Sequence, residues 1–151
     1  SDFCTTHSYQ QDGEKLRMQL FDGEKFYQPQ GPTAKDAPSA MTFFYYDGKV
    51  PYIIDEFGGI KCAEANPAKD ERTGSWGYGN AAITKEDFYK RLESQVKAII
   101  DHSDKICGFC YTQLTDVEQE QNGVYYFNRE TKYDMKRVRE IFQMAAEGYE
   151  Q

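Results

Sequence analysis

Short runs of β-branched and aromatic residues alternate along the chain with longer stretches in which apolar residues recur at every third or fourth position. The runs predict three strands, at residues 2–7, 50–56 and 105–114. The periodic stretches predict two helices, at residues 85–102 and about 135–147. Strands that alternate with helices are typical of an α/β protein with a parallel sheet, and the pattern predicts this fold class.

Capping residues support the predicted helices. Thr84 and Asp87 form a potential capping box before the first helix. Asp134 stands in the N-cap position of the second helix, and Gly148 lies near its expected end. A shorter helix is predicted at residues 14–21, closed by an Asp-Gly pair. The apolar positions of the first helix follow its cap at helical spacing: Phe88, Leu92, Val96, Ile99 and Ile100.

The second predicted strand passes abruptly from apolar residues to Asp55 and Glu56, and two glycines follow at positions 58 and 59. A strand of this kind, buried on both faces, delivers an acid to a cleft at its carboxyl end. Because side chains alternate across a strand, Glu56 is expected to share a face with Tyr52 and Ile54, and Asp55 to lie on the opposite face. Only one of the two acids is then expected to meet a substrate. The alternative is a strand that ends in a solvated Asp-Glu turn.

Two long segments rich in proline, glycine and polar residues follow the first and second strands, at residues 10–42 and 58–83. Loops of this length in a compact domain are usually functional or disordered. The predicted strands start about 50 residues apart, whereas an eight-unit barrel uses about 31 residues per unit. The connections between the predicted strands are therefore longer than those of such a barrel.

Composition narrows the function classes. The 151 residues and 17.5 kDa correspond to one domain, and the net charge of −7 with a pI near 4.9 argues against nucleic acid or an anionic membrane as partner. No apolar stretch approaches the roughly 20 residues of a membrane span. The four cysteines show no repeating spacing and are expected to be buried or half-buried thiols. Carboxylates are scattered and His7 and His102 lie far apart, so neither a metal site nor a cofactor is predicted.

Three motifs carry a resemblance to a known family. They are the Asp-Glu-Phe-Gly-Gly end of the second strand, the Trp-Gly-Tyr-Gly turn at residues 76–79, and the run at 108–123. In this order they resemble the C-terminal part of the catalytic barrel of glycoside hydrolase family 2, which includes β-galactosidases and β-glucuronidases. The resemblance implies a partial TIM (β/α)8 barrel, roughly strands six to eight with their helices. Residues 1–151 would form a single, incomplete domain, and the absence of an initiator Met agrees with that expectation.

The resemblance also implies a site. Glu56 matches the catalytic nucleophile of this family of retaining enzymes, which hydrolyse β-linked O-glycosides with two carboxyl groups. The partner acid of the family follows an Asn on an earlier strand, which has no counterpart here, so the isolated chain is expected to be inactive. The implied partner is a carbohydrate substrate, and the incomplete barrel is expected to self-associate through its apolar inner layer. Candidate sugar contacts are His7, Tyr9, Trp76, Tyr111, Gln113 and Asp116.

Two alternatives stay open at this point. One is a stand-alone carbohydrate-binding or interaction module built on a small parallel sheet, with structural acids only. The other is a complete small enzyme in which Glu56 works with an internal acid such as Asp55, Asp116 or Glu120. The sequence does not discriminate between galactoside, glucuronide and mannoside.

Overall fold

The computed structural model describes residues 2–22, 25–26, 49–66 and 74–149. These residues form an α/β structure, as the pattern predicts. In chain order the elements are β1 (Cys4–Ser8), α1 (Gly13–Leu20), β2 (Phe21–Asp22), β3 (Lys25–Phe26), β4 (Tyr52–Gly58), α2 (Lys85–Ile100), β5 (Ile106–Thr112) and α3 (Met135–Tyr149). The main sheet is parallel, with the strand order β1-β4-β5, and a two-stranded hairpin pairs β2 with β3.

The three predicted helices are confirmed, and so are the predicted N-terminal caps of α2 and α3. The Asp-Gly pair predicted to close the short helix is not confirmed, because α1 ends at Leu20, Asp22 belongs to β2 and Gly23 lies outside the described residues. Thr84 and Asp87 form both hydrogen bonds of a capping box at the start of α2. The Asp134 carboxylate accepts from the backbone N–H of Lys136 at 2.9 Å at the start of α3, which continues through Gly148 to Tyr149. The hairpin of β2 and β3 was not predicted because two-residue strands carry no periodicity. Much of the two predicted long loops lies outside the described residues, at positions 23–24, 27–42 and 67–73.

One face of the sheet packs against the helices and forms the core. The residues that α2 adds to the core follow the predicted helical spacing: four of the five predicted apolar positions are fully buried, and the fifth, Ile100, is half-buried. None of the helices in the described segments is both long and apolar enough to cross a bilayer. The main buried residues are Leu16 and Leu20 of α1, Tyr52, Ile54 and Phe57 of β4, Phe88, Leu92, Val96 and Ile99 of α2, Ile106 of β5, and Val138 and Ile141 of α3.

The opposite face of the sheet is not covered by any of the described residues. Thr5 and His7 of β1 are exposed, and Ile53, which pairs with Thr5, is only half-buried. Cys107 and Cys110 of β5 are also exposed. The predicted burial of β4 on both faces is therefore wrong for the described part of the chain, and so is the predicted burial of these two thiols.

A bulge in β4 sets the direction of its acids. Between the pairs Thr6↔Ile54 and His7↔Glu56, β4 advances by two residues while β1 advances by one. The extra residue breaks the alternation, because a bulge turns the following side chains to the other face. As a result Phe57 is buried like Ile54, and Glu56 does not share their buried face. The alternation predicted for Glu56 is therefore wrong.

Candidate functional site

Glu56 lies at the carboxyl end of the central strand, with its side chain 45% exposed. The hydroxyl of Tyr9, which follows β1, donates a hydrogen bond to Glu56 Oε2. Burial of Tyr9 and its bond to the Glu56 carboxylate both raise the pKa of the phenol well above its usual range. Tyr9 therefore keeps its proton and acts as a neutral donor to the carboxylate.

His7 brings the two strand-end acids together. Its Nδ1 atom lies 3.2 Å from Asp55 Oδ1 and 3.5 Å from Glu56 Oε2, and its side chain is 53% exposed. Asp55 is therefore on the same side of the strand as Glu56, and the prediction that it lies behind the strand is wrong. The bulge described above is the physical reason.

A glycine turn lets aromatic rings approach the acid. Gly59 has φ +62°, and a Cβ atom there would collide with Tyr78 and Tyr9. With no side chain in the way, the rings of Tyr9 and Tyr78 stack at 3.4 Å between centroids and 2° between planes. This stack fixes the Tyr9 ring beside Glu56.

Gln11 is a further positioning residue, which the sequence patterns did not single out. Its side-chain amide donates to the backbone oxygen of Tyr9 at 3.0 Å and to that of Gly58 at 2.6 Å. The guanidinium of Arg91, on α2, donates to the amide oxygen of Gln11 at 3.0 Å. Gln11 thus ties the end of β1 to the end of β4.

Trp76 lies beside the stack of Tyr9 and Tyr78, on the loop before α2. Its ring meets Tyr78 edge-on at 5.6 Å between centroids, and the residue is 45% exposed. The loop after β5 holds the backbone of Trp76, because Trp76 N donates to Gln119 O and Gln121 N donates to Trp76 O. Trp76 thus borders the Tyr9–Tyr78 stack, and its predicted role as a sugar contact stays a prediction.

Tyr111 lies beneath the site, against the end of β4, and Gln113 directly follows β5. Tyr111 packs edge-on against Phe57 at 5.5 Å, and its hydroxyl donates to Asn122 O at 3.3 Å. Burial raises the pKa of Tyr111 above its usual range. Gln113 is half-buried, and its Nε2 atom has no hydrogen-bond acceptor among the described residues. The contacts of Tyr111 are those of a supporting ring beneath the site.

Asp116 is placed differently from the other predicted contacts. It forms a buried ion pair with Lys132, whose side chain is 0% exposed against 7% for Asp116. Its carboxylate also accepts from Gly123 N at 3.0 Å and from the amide of Asn66 at 3.2 Å. Burial lowers the pKa of Lys132, and the Asp116 carboxylate opposes that shift. These contacts fold the loop after β5, so Asp116 serves structure and leaves little for a ligand.

The site as a whole is a half-exposed carboxylate, held by a neutral phenol and an imidazole, beside an aromatic wall. Within residues 2–22, 25–26, 49–66 and 74–149, no group of three His, Cys, Asp or Glu side chains is placed to hold a metal ion. The geometry suits an oxygen nucleophile or an acceptor for the hydroxyls of a sugar.

Comparison with known proteins gives partial structural matches. No family model and no curated protein matches the chain. A solved β-glucuronidase of Bifidobacterium dentium, complexed with coumarin-3-O-glucuronide, is similar to 62% of this chain, with 16% identity and a TM-score of 0.43. A β-glucuronidase of Faecalibacterium prausnitzii is similar to 65% of this chain, with 14% identity and a TM-score of 0.41. The matched parts are 15% and 16% of those two chains. Similarity at this level does not assign a function to the chain.

Proposed function

We propose that this chain supplies the nucleophile of a retaining glycosidase that acts on β-linked sugars, and that Glu56 is that nucleophile. The observation that carries the proposal is the setting of Glu56: a half-exposed carboxylate at the end of a central strand, held by Tyr9 and free of any lysine or arginine partner among the described residues. A carboxylate neutralised by a cation would be a poorer nucleophile. The family motifs around Glu56 also support this assignment.

The contacts on Glu56 leave one oxygen for the reaction. Tyr9 and His7 both approach Oε2, so Oε1 is the oxygen that would attack the anomeric carbon. The new bond joins Oε1 to that carbon, while the bond to the leaving oxygen breaks and that oxygen takes a proton from an acid. Water then releases the sugar from Glu56. Through both steps Tyr9 holds the other oxygen of the carboxylate in place.

The acid that protonates the leaving group is proposed to lie outside residues 1–151, on an earlier strand of a longer barrel. Retaining enzymes place their two carboxyl groups on either side of the scissile bond, about 5 to 5.5 Å apart. Asp55 lies on the same side of the strand as Glu56 and shares the imidazole of His7 with it, and its Oδ1 atom is buried. Asp116 is paired with Lys132. Both therefore fit poorly as the partner acid of a complete small enzyme.

Covalent capture on this chain tests the proposal. The probes are 2-deoxy-2-fluoro-β-glycosyl fluorides of gluco, galacto, manno and glucurono configuration, whose fluoride leaves without an acid. We expect one of them to add a single glycosyl group to Glu56, located by peptide mass spectrometry. Phenyl β-glycosides, which need the acid, should not be hydrolysed at an enzyme-like rate.

The matched control is Glu56→Gln, which keeps the size of the side chain and loses the nucleophile. Capture at another residue, or equal capture by Glu56→Gln, would show that Glu56 is not the nucleophile. Hydrolysis of phenyl glycosides by the chain alone would favour a complete small enzyme with an internal acid. Binding of the sugar without capture would favour the stand-alone carbohydrate-binding module.

The proposal extends to assembly of the isolated chain. The uncovered face of the sheet carries Ile53 and the exposed Cys110. An uncovered sheet face with apolar residues favours association, so we expect copies of the chain to pair through this face. Light scattering over a dilution series should find a dimer or larger species, shifted towards monomer by Ile53→Lys. A monomer at every concentration would contradict this.

A further inference from the structure

We propose that Trp76 forms a second subsite, which stacks on a flat ring next to the sugar that reacts at Glu56. The ring is either a second sugar or an aryl group of the substrate. This inference rests on the proposed function, because it places the reacting sugar at Glu56. It assigns Trp76 to a neighbouring group of the substrate instead of to the reacting sugar.

Trp76 is exposed yet held rigidly. Its backbone N–H and carbonyl are both bonded to the loop after β5, at 2.8 and 2.9 Å. The ammonium group of Lys61 donates to the backbone oxygen and the hydroxyl of the preceding Ser75, at 2.7 and 2.6 Å. After it, Tyr78 N donates to Gly59 O at 2.9 Å. An exposed ring on a fixed backbone loses little conformational entropy when a ligand covers it, which favours binding.

The position of Trp76 separates it from the reacting sugar. Tyr9 contacts Glu56 directly, Tyr78 stacks on Tyr9 at 3.4 Å, and Trp76 meets Tyr78 edge-on at 5.6 Å. Trp76 is thus two ring contacts away from the ring that holds the nucleophile. A group that lies on Trp76 is therefore the next one along the substrate.

The chemistry of the surface selects the kind of group. The indole of Trp76 offers an apolar face of large area, and Val117, 50% exposed, lies on the loop that pairs with Trp76. Val117 and Glu120 exchange both backbone hydrogen bonds, and Glu120 in turn forms a bridge with Trp76. Aryl rings and the C–H faces of sugars stack on such a surface, whereas a methyl group has too little area to do so.

Intrinsic fluorescence tests the inference directly, because Trp76 is the single tryptophan of the chain. The chain is titrated with methyl and phenyl β-glycosides of glucose, galactose, mannose and glucuronic acid, and with cellobiose. We expect the phenyl glycoside of the preferred sugar to shift or quench the emission and to bind about three- to tenfold more tightly than its methyl partner. A response to cellobiose identifies a second sugar as an occupant, and a response to phenyl glycosides alone identifies an aryl group.

Three variants control the titration, with binding followed by saturation transfer to the phenyl protons in NMR. Trp76→Ala should remove the preference for phenyl over methyl, and Trp76→Phe should keep part of it. Phe127→Ala, which removes another exposed ring, should leave it unchanged. Equal affinity for phenyl and methyl glycosides, an unchanged preference in Trp76→Ala, or no response to any ligand would overturn the inference.

The two proposals can fail separately. A fluorescence response without capture of a fluoro-sugar on Glu56 would support ligand binding at Trp76 and contradict the role of Glu56 as nucleophile. Capture on Glu56 without any effect of Trp76→Ala on binding would support the role of Glu56 as nucleophile and contradict the proposed subsite at Trp76.

Discussion

Glu56 and Asp116 are both carboxylates just after or at the end of a strand, but their surroundings differ. Asp116 is 7% exposed and bound by the buried ammonium group of Lys132. Glu56 is 45% exposed, and the described residues that hold it are a phenol and an imidazole. Asp116 is paired with a lysine and its oxygens are occupied, whereas Glu56 has no lysine or arginine partner among the described residues and keeps one oxygen for a ligand. Of these two carboxylates, Glu56 is therefore the better candidate nucleophile.

The largest expected effect is on the buried pair. Lys132→Met keeps the apolar stem and removes the charge, which leaves Asp116 buried without its cation. Removing one partner of a buried ion pair costs about 3–5 kcal/mol, so we expect a loss of that size in the free energy of unfolding, measured by urea denaturation.

The double variant Lys132→Met with Asp116→Asn is the control for this loss. The amide introduced by Asp116→Asn would be neutral and would still accept from the N–H of Gly123, so most of the lost stability should return. If Lys132→Met alone costs less than about 1 kcal/mol, the contrast between the two carboxylates is wrong, because the pair would then behave like a surface one.

A smaller effect is expected at Tyr9 and Glu56. A double-mutant cycle with Tyr9→Phe and Glu56→Gln measures the coupling between the hydroxyl and the carboxylate. Because water can replace the hydroxyl at a half-exposed acid, we expect a coupling of about 1.5 kcal/mol, at the low end for a hydrogen bond to a charged group. A coupling as large as that of the buried pair would mean that Glu56 serves stability, which would count against its catalytic role.

The smallest effect is expected at Glu86, an exposed acid that does have a cation. Arg137 donates to both of its oxygens, at 2.5 and 2.7 Å, and thereby lowers the pKa of Glu86. Because the folded pKa is below the unfolded one, the pair stabilises the fold above the unfolded pKa, and this contribution is lost as the pH falls through the folded one.

The free energy of unfolding should therefore differ less between about pH 7 and about pH 3 in Glu86→Gln than in the unmodified chain, as measured by urea denaturation at both pH values. The comparison variant is Glu64→Gln, which removes the charge of an acid that accepts from Lys85 N and has no arginine partner among the described residues. An unchanged difference in Glu86→Gln would mean that solvent screens this pair at every pH.

The parts of the molecule that follow from local sequence were predicted. The capping box of Thr84 and Asp87 depends on residues three apart, and the burial of α2 depends on a spacing that is visible in the chain. The placement of Glu56 at the end of a strand follows from the change from apolar to acidic residues after Ile54.

The contacts that make the site depend on residues far apart in sequence and could not be predicted in this way. Tyr9 and Glu56 are 47 residues apart, and Gln11 and Arg91 are 80 apart. The buried ion pair was missed for a different reason: Lys132 stands among polar residues, where a lysine is ordinarily solvated, and only its partner explains its burial. A single sequence carries no sign of such pairings.

Because of the bulge between Ile54 and Phe57, the pairing of β4 with its two neighbouring strands depends on the number of residues in β4 as well as on their side chains. Loss of Asp55 or Glu56 would restore regular pairing with β1 and leave Phe57 on the buried face, with a single acid at the strand end. The presence of two acids side by side next to His7 is therefore a consequence of the extra residue in β4.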